Sequence, residues 1–332
     1  MGSRNQLLHA LKRCLGVGRH QLSVGPRQVV LVTGCDSGLG HSLAVYCYRA
    51  LHMTVISCCH NLESQGAQLL QEMSKASEHE RRMHTWQLDL LQPDSVAQLH
   101  AKLEQLLAST DCQLLALVNN AGVMCFGEFE WQLPAQIEQQ INCNLLGTMR
   151  LTRQLLPLLR QQRARIINVT SHCGFQALPA LAPYAATKAA LRVWNDALRI
   201  ELQPYGMEVV NFVPGSFVLE SNIAARQQQQ AQQQLEAFSA EQLAHYGSYF
   251  KAFHQYLSML SGFKKPNQLQ DEALLQKFRD ALTNSQPKTL YIHEPWRYKI
   301  YRWLFKLTPA PLTDWLVLRF CAMPSYESTQ RN

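Results

Sequence analysis

Three side chains in this sequence have the types and spacing of a proton-transfer site: Ser171, Tyr184 thirteen residues later, and Lys188 four further on. A tyrosine and a lysine at i and i+4 share one face of a helix, so an ammonium can sit beneath the phenol. An unperturbed tyrosine titrates at about pH 10, too high for a base at neutral pH. A neighbouring cation, with any second positive charge brought by a bound group, would lower it toward the working range. A serine hydroxyl can hold a substrate oxygen where charge develops. The Tyr-x-x-x-Lys spacing alone is common on protein surfaces, so its meaning depends on what accompanies it.

The run Thr33-Gly34-Cys35-Asp36-Ser37-Gly38-Leu39-Gly40 follows a β-branched stretch and opens helical text. Glycines at 34, 38 and 40 permit a tight turn and close backbone approach to a pyrophosphate at a helix's positive end. A dinucleotide site also needs an acceptor for the adenosine ribose hydroxyls, normally an acid at the end of the second strand. Cys58, Cys59 and His60 stand there instead, which leaves Asp36 as the nearest carboxylate. A carboxylate would repel a 2′-phosphate, and neither the loop nor the strand end offers Lys or Arg. The expected cofactor is therefore NAD, preferred over NADP.

These residues need a frame. Between 28 and 215 short β-branched runs alternate with longer helical stretches, which predicts an α/β fold: a Rossmann-type doubly wound parallel sheet, in one domain with a helical substrate lid and a C-terminal extension. Strands are expected near 28–33, 53–58, 84–88, 114–118, 165–170 and 208–213, with a last piece at 289–292. Helices are expected over 94–108 and 144–160, where leucines recur at helical period. The Rossmann-type body should span 28–293, its lid about 216–287. Within the lid a Gln-rich run, 227–234, reads as a solvated helix face or a loop. The aromatics of 238–260 read either as plain core or as the lining of a lipophilic pocket.

Hydrophobic residues make up 47% of the chain and charged ones 17%, enough apolar material for a sizeable core and too much for disorder. The ten cysteines form no Cys-x-x-Cys pair, and several lie in apolar runs, which indicates reduced thiols and no metal site. The formal charge of +7 resides at the ends. Residues 1–28 carry five bases and no acid, and 290–332 carry six bases against three acids, whereas the body is nearly neutral. That distribution argues against nucleic acid as a partner and for a membrane surface or targeting. In the segment 1–27, Leu7, Leu8, Leu11 and Leu15 recur at helical spacing among bases. In the tail 294–332, Trp296, Trp303 and Trp315 sit among Arg297, Lys299, Arg302 and Lys306.

With Asn119-Asn120-Ala121-Gly122 after the fourth strand and Asn144-Leu145-Leu146-Gly147 beyond it, the chain over 28–215 resembles the short-chain dehydrogenase/reductase family. It is similar to the branch containing retinol, 17β- and 11β-hydroxysteroid and D-β-hydroxybutyrate dehydrogenases. The resemblance implies a catalytic tetrad of Asn144, Ser171, Tyr184 and Lys188. Tyr184 would be the acid/base, Ser171 would orient the oxygen, and Lys188 would bind ribose and tune the phenol. Asn144 would hold a water on a proton path. It further implies cofactor contacts at Gly34, Asp36, Ser37, Gly38, Leu39, Gly40, Asp89, Asn120, Gly122, Tyr184, Lys188, Pro214 and Gly215. The implied activity is oxidation or reduction at a CH–OH group of a lipophilic steroid, sterol or retinoid. The alternative substrate is a small D-3-hydroxybutyrate-type acid; a non-catalytic membrane-associated scaffold would keep the glycine loop without needing the tetrad. The family also implies a homo-oligomer through helices like 132–162 and 183–203. The expected location is intracellular, with peripheral membrane association, the endoplasmic reticulum favoured and the mitochondrion as the alternative. Val213, Leu219 and His172 depart from the branch pattern and bear on substrate identity.

Overall fold

The computed structural model describes residues 18–75, 82–215, 226–260 and 271–329. Seven parallel strands form one sheet in the order β3-β2-β1-β4-β5-β6-β7. They are β1 (Gln28–Thr33), β2 (Thr54–Cys59), β3 (Met83–Gln87), β4 (Gln113–Asn119), β5 (Arg165–Val169), β6 (Val209–Val213) and β7 (Leu290–Ile292). Every residue of β2, β5 and β6 is buried, as a sheet covered on both faces requires. Each strand lies within one or two residues of its expected place.

On one face α1 (Gly38–Arg49), α2 (Gln65–Lys75) and α9 (Glu272–Thr283) supply Leu43, Leu70, Leu274 and Phe278 to a cluster with Val30, Val32 and Phe212. On the other, α3 (Pro93–Ser109), α5 (Thr148–Gln161) and α6 (Ala182–Leu202) pack Leu99, Leu155 and Leu198 against Val29, Leu31 and Ile166. Strand order reverses between β1, which leads outward to β2 and β3, and β4, which leads to β5–β7. That switch point, beyond the strands' carboxyl ends, is where open α/β sheets form the crevice that binds ligands.

The helix expected over 144–160 is not continuous. The chain runs through α4 (Pro134–Ile141), a π-helical turn at Asn142–Gly147, and then α5. The Gln-rich run forms α7 (Gln227–Glu236) and is only partly solvated, for Gln227 and Gln234 are buried. The Gln234 amide donates to Phe126 O (3.1 Å) and Gln136 Oε1 (3.0 Å), within a network that includes Gln132 and Gln140. Of the expected lid, α7 and α8 (Ala240–Leu260) flank the crevice, whereas α9 covers the sheet. Arg165, buried in β5, donates to Ala281 O (2.7 Å) and Asn284 O (3.1 Å) and so fixes the end of α9. The tail forms α10 (Trp296–Leu307), α11 (Ala310–Cys321) and α12 (Tyr326–Thr329). The leucines expected at 7–15, and Leu219, lie outside the described residues. The nine described cysteines are free thiols.

Candidate active site

The glycine loop joins β1 to α1 at the switch point. Gly34 has φ +71°, a left-handed conformation that favours glycine, and a Cβ there would stand 2.8 Å from Ala121 Cα. A Cβ on Gly40 would meet the Gly34 carbonyl oxygen at 2.2 Å. Gly38 also has positive φ. Ser37 is the N-cap of α1, its side chain makes no cap bond, and the first turn has no acid. The helix thus presents open N–H donors and its positive end to the loop, a cradle suited to a diphosphate. Leu39 follows in that first turn.

Thr33, which sequence reasoning passed over, staples the loop to β4. Its Oγ1 accepts from Asn120 N and Ala121 N, both at 3.0 Å, while Asn120 Nδ2 donates to Thr33 O at 2.8 Å. Asn120 therefore sits in the crevice as a clamp on the loop backbone. Asp36 lies against the end of β2. Its carboxylate accepts from His60 N (2.9 Å) and Asn61 N (2.8 Å), so negative charge stands where the second strand itself provides none. Asp89 Oδ2 is 4.0 Å from His60 Nε2, and Asp89 Oδ1 accepts from Leu91 N at 2.9 Å. Asp36 and Asp89 thus both border His60.

Asn144 is fully buried in the π-helical turn, and its amide engages one backbone unit: Oδ1 accepts from Val123 N (2.7 Å) and Nδ2 donates to Val123 O (2.8 Å). Nδ2 also reaches Thr187 Oγ1 at 3.2 Å. The extra residue of a π turn is a common device for aiming such a group. A Cβ on Gly122 would lie 3.3 Å from Asn144 Oδ1 and 3.5 Å from Lys188 Nζ, so the missing side chain leaves room beside both.

Ser171 follows β5 in extended conformation, its Oγ accepts from Cys173 N at 3.2 Å, and it lies near enough to Tyr184 to lower the phenol's pKa. Lys188, also buried, donates to Val169 O at 3.0 Å, and its Nζ is 5.8 Å from the centroid of the Tyr184 ring. Ser171, Tyr184 and Lys188 come together as the spacing predicts. A Cβ on Gly174 would strike the Lys188 carbonyl oxygen at 2.8 Å, so a glycine three residues after Ser171 lets that turn lie on α6.

Burial pushes the Tyr184 phenol above its ordinary value and outweighs the lowering by Ser171. Burial likewise holds Lys188 down at about 8. Burial is what Lys188 and an oxidised nicotinamide together must overcome if Tyr184 is to be acidified.

Tyr184 also belongs to a third apolar cluster, with Met124, Phe126, Leu181, Tyr249, Phe250, Phe253 and Leu257 around Trp131. Phe250 and Phe253 pack edge-on to the indole at 5.2 and 5.6 Å. Most of the aromatic stripe of α8 is therefore core that reaches the Tyr184 side of the crevice. Trp131 has no periodic signal in the sequence. Pro214 is buried at the end of β6, and Gly215 follows with φ +93°. His172, next to Ser171, faces the buried carboxylate of Glu294 (3.6 Å), which pairs with Arg302 Nη2 at 2.9 Å. Burial lowers the imidazole's pKa despite that carboxylate.

A family model described as short chain dehydrogenase matches residues 28–232. Among curated proteins, mitochondrial D-beta-hydroxybutyrate dehydrogenase of Rattus norvegicus is 29% identical over 86% of this chain and 80% of its own length. Estradiol 17-beta-dehydrogenase 2 of Mus musculus is 31% identical over 88% of this chain and 74% of its own. Retinol dehydrogenase 5 of Mus musculus is 34% identical over 57% and 56%. A crystal structure of a short-chain dehydrogenase from Streptomyces avermitilis has the same fold, with TM-score 0.63, 22% identity and coverage of 88% of this chain and 97% of that one.

Proposed function

The chain belongs to the short-chain dehydrogenase family and is an alcohol oxidoreductase of that family; from that premise we propose that it uses NAD to interconvert an alcohol and a carbonyl on a lipophilic steroid, sterol or retinoid. The observation that carries the substrate class is the cluster around Tyr184, whose side chains on that side of the crevice are aromatic and aliphatic. A small hydroxy acid would bring a carboxylate to that surface, and burying it there unpaired is costly.

The residues present fit a dinucleotide. The loop of Gly34, Ser37, Gly38, Leu39 and Gly40 and the uncapped start of α1 would hold the diphosphate. Asp36 and Asp89 would flank the adenosine, and Asn120, Gly122, Tyr184, Lys188, Pro214 and Gly215 would border the nicotinamide end. When bound, the cofactor supplies or accepts a hydride. Tyr184 donates a proton to the carbonyl oxygen in reduction and takes one from the alcohol in oxidation, while Ser171 holds that oxygen. Burial raises the phenol's pKa, so taking a proton from the alcohol depends on positive charge close by. Asn144 holds the backbone at Val123 and, through Thr187, the start of α6, from which Tyr184 and Lys188 project.

A panel of retinol, 3-, 11- and 17-hydroxysteroids and 3-hydroxybutyrate with NAD tests the reading. Turnover is expected with at least one lipophilic alcohol. Turnover of 3-hydroxybutyrate alone would overturn the substrate class.

A further inference from the structure

Beyond the crevice the tail carries an apolar face that its own packing does not use. The inward side of α10 is Tyr298, Tyr301 and Phe305, whose rings meet Phe320 of α11 at 5.3, 4.7 and 6.4 Å. The opposite side of α10 exposes Trp296 (73%), Ile300, Trp303 (65%) and Leu307 (70%), a stripe at helical period. On α11, Leu312, Trp315 and Leu318 are likewise exposed, while Thr313 and Val317 face inward. Large side chains standing in water on two consecutive helices mark an interaction surface.

Charge selects the occupant. Residues 296–321 hold five bases and one acid, Asp314. Arg302 turns inward to Glu294, whereas Lys299, Lys306 and Arg319 are exposed beside the stripe. A second copy meeting this face about a twofold axis would set like charges against each other, which disfavours self-pairing. The N-terminal segment, with its five bases and no acid, meets the same repulsion. Tryptophan with flanking Lys and Arg is the composition that settles at the boundary between lipid headgroups and acyl chains.

We propose that α10 and α11 form a docking surface for an anionic lipid bilayer, entering its headgroup layer through Trp296, Ile300, Trp303, Leu307, Leu312, Trp315 and Leu318. The helices lie in the interface and do not span it; among the described residues no helix is long and apolar enough to cross a membrane. The surface is independent of the reaction proposed above.

The test is flotation of the full-length protein with vesicles of phosphatidylcholine, with and without phosphatidylserine. The protein is expected to float, more strongly with phosphatidylserine and at low salt. Replacing Trp303, Leu307 and Trp315 together by Asp is expected to weaken partitioning by about a hundredfold or more. Replacing Lys299, Lys306 and Arg319 by Glu should remove only the increment due to phosphatidylserine. Brominated phosphatidylcholine should quench the tryptophan fluorescence of the unaltered protein, a readout that needs no variant. No flotation of the parent, no quenching, or an aspartate variant that floats like the parent would each overturn the proposal. So would a change of sedimenting mass in that variant without any change in vesicle binding, which would identify a second copy as the occupant.

Discussion

Tyr184 and Lys188 sit one helical turn apart, and burial moves their proton affinities in opposite directions, raising the phenol and lowering the ammonium to about 8. Tyr184→Phe removes the exchangeable proton and keeps the ring, so turnover should fall by about a thousandfold with the melting temperature unchanged. Activity surviving it would end the proton-transfer role. A lysine whose folded pKa lies below its unfolded value costs stability below the folded pKa, and the cost is relieved as pH rises from about 8 toward 10.5. Lys188→Met should therefore abolish turnover yet be more stable than the parent at pH 7 by about 1–3 kcal/mol, with the gap closing above pH 8. Denaturant melts at pH 7 and pH 10 measure this, and a variant less stable at both would refute it. Asp36 places negative charge at the end of β2, so Asp36→Ala should cut the preference for NAD over NADP by about tenfold, read as a ratio of kcat/KM values. An unchanged ratio would mean that Asp36 only holds the His60–Asn61 loop.

Each element places its functional residue by a local device joined to a long-range clamp. The β1–α1 turn is shaped by glycines and held by Thr33 and Asn120 across to β4. Asn144 is aimed by a π turn between two α-helices and held by the backbone of Val123. The glycines were legible because a tight strand-to-helix turn restricts residue type. The π turn was not, since leucine periodicity runs through it almost undisturbed. Similarly, Gln234 reads as solvated because its neighbours in sequence are glutamines, yet its partners, Phe126 and Gln136, are about a hundred residues away. Trp131 is the centre on which α8 packs, and its indole is almost wholly buried. Trp131→Ala should cost about 3–5 kcal/mol and loosen α8 against the Tyr184 side. A loss below about 1 kcal/mol in a denaturant titration would show that the cluster closes over the gap.

At the scale of the whole molecule, two groups of exposed apolar side chains among the described residues offer surfaces to other bodies. The tail's outer face is one. The other is the exposed side of α4 and α6 and the π turn between α4 and α5, with Ile141, Leu146, Val193 (59%) and Ile200 (63%). A homo-oligomer, expected from the family resemblance, would use this face. Val193→Glu combined with Ile200→Glu should shift the sedimenting species to monomer and leave vesicle flotation unchanged; an unaltered mass would move the contact elsewhere. The tail is also tied to the catalytic side: Tyr256 Oη donates to Cys321 O at 2.8 Å, and Tyr326 stacks on His245 with centroids 4.8 Å apart.

By itself the sequence determined the sheet, the glycine loop, the Ser171–Tyr184–Lys188 group and the basic aromatic tail, because each rests on residue type and short spacing, which strand alternation, helical period and turn sterics convert directly into local structure. Only the tertiary structure decided that Tyr184 is buried deeply enough for desolvation to raise it, that Asp36 reaches the end of the second strand, that α9 covers the sheet while α8 flanks the switch point, and that His172 faces Glu294 from the tail. Those outcomes depend on desolvation and on contacts between residues far apart in the chain, and no local pattern carries either.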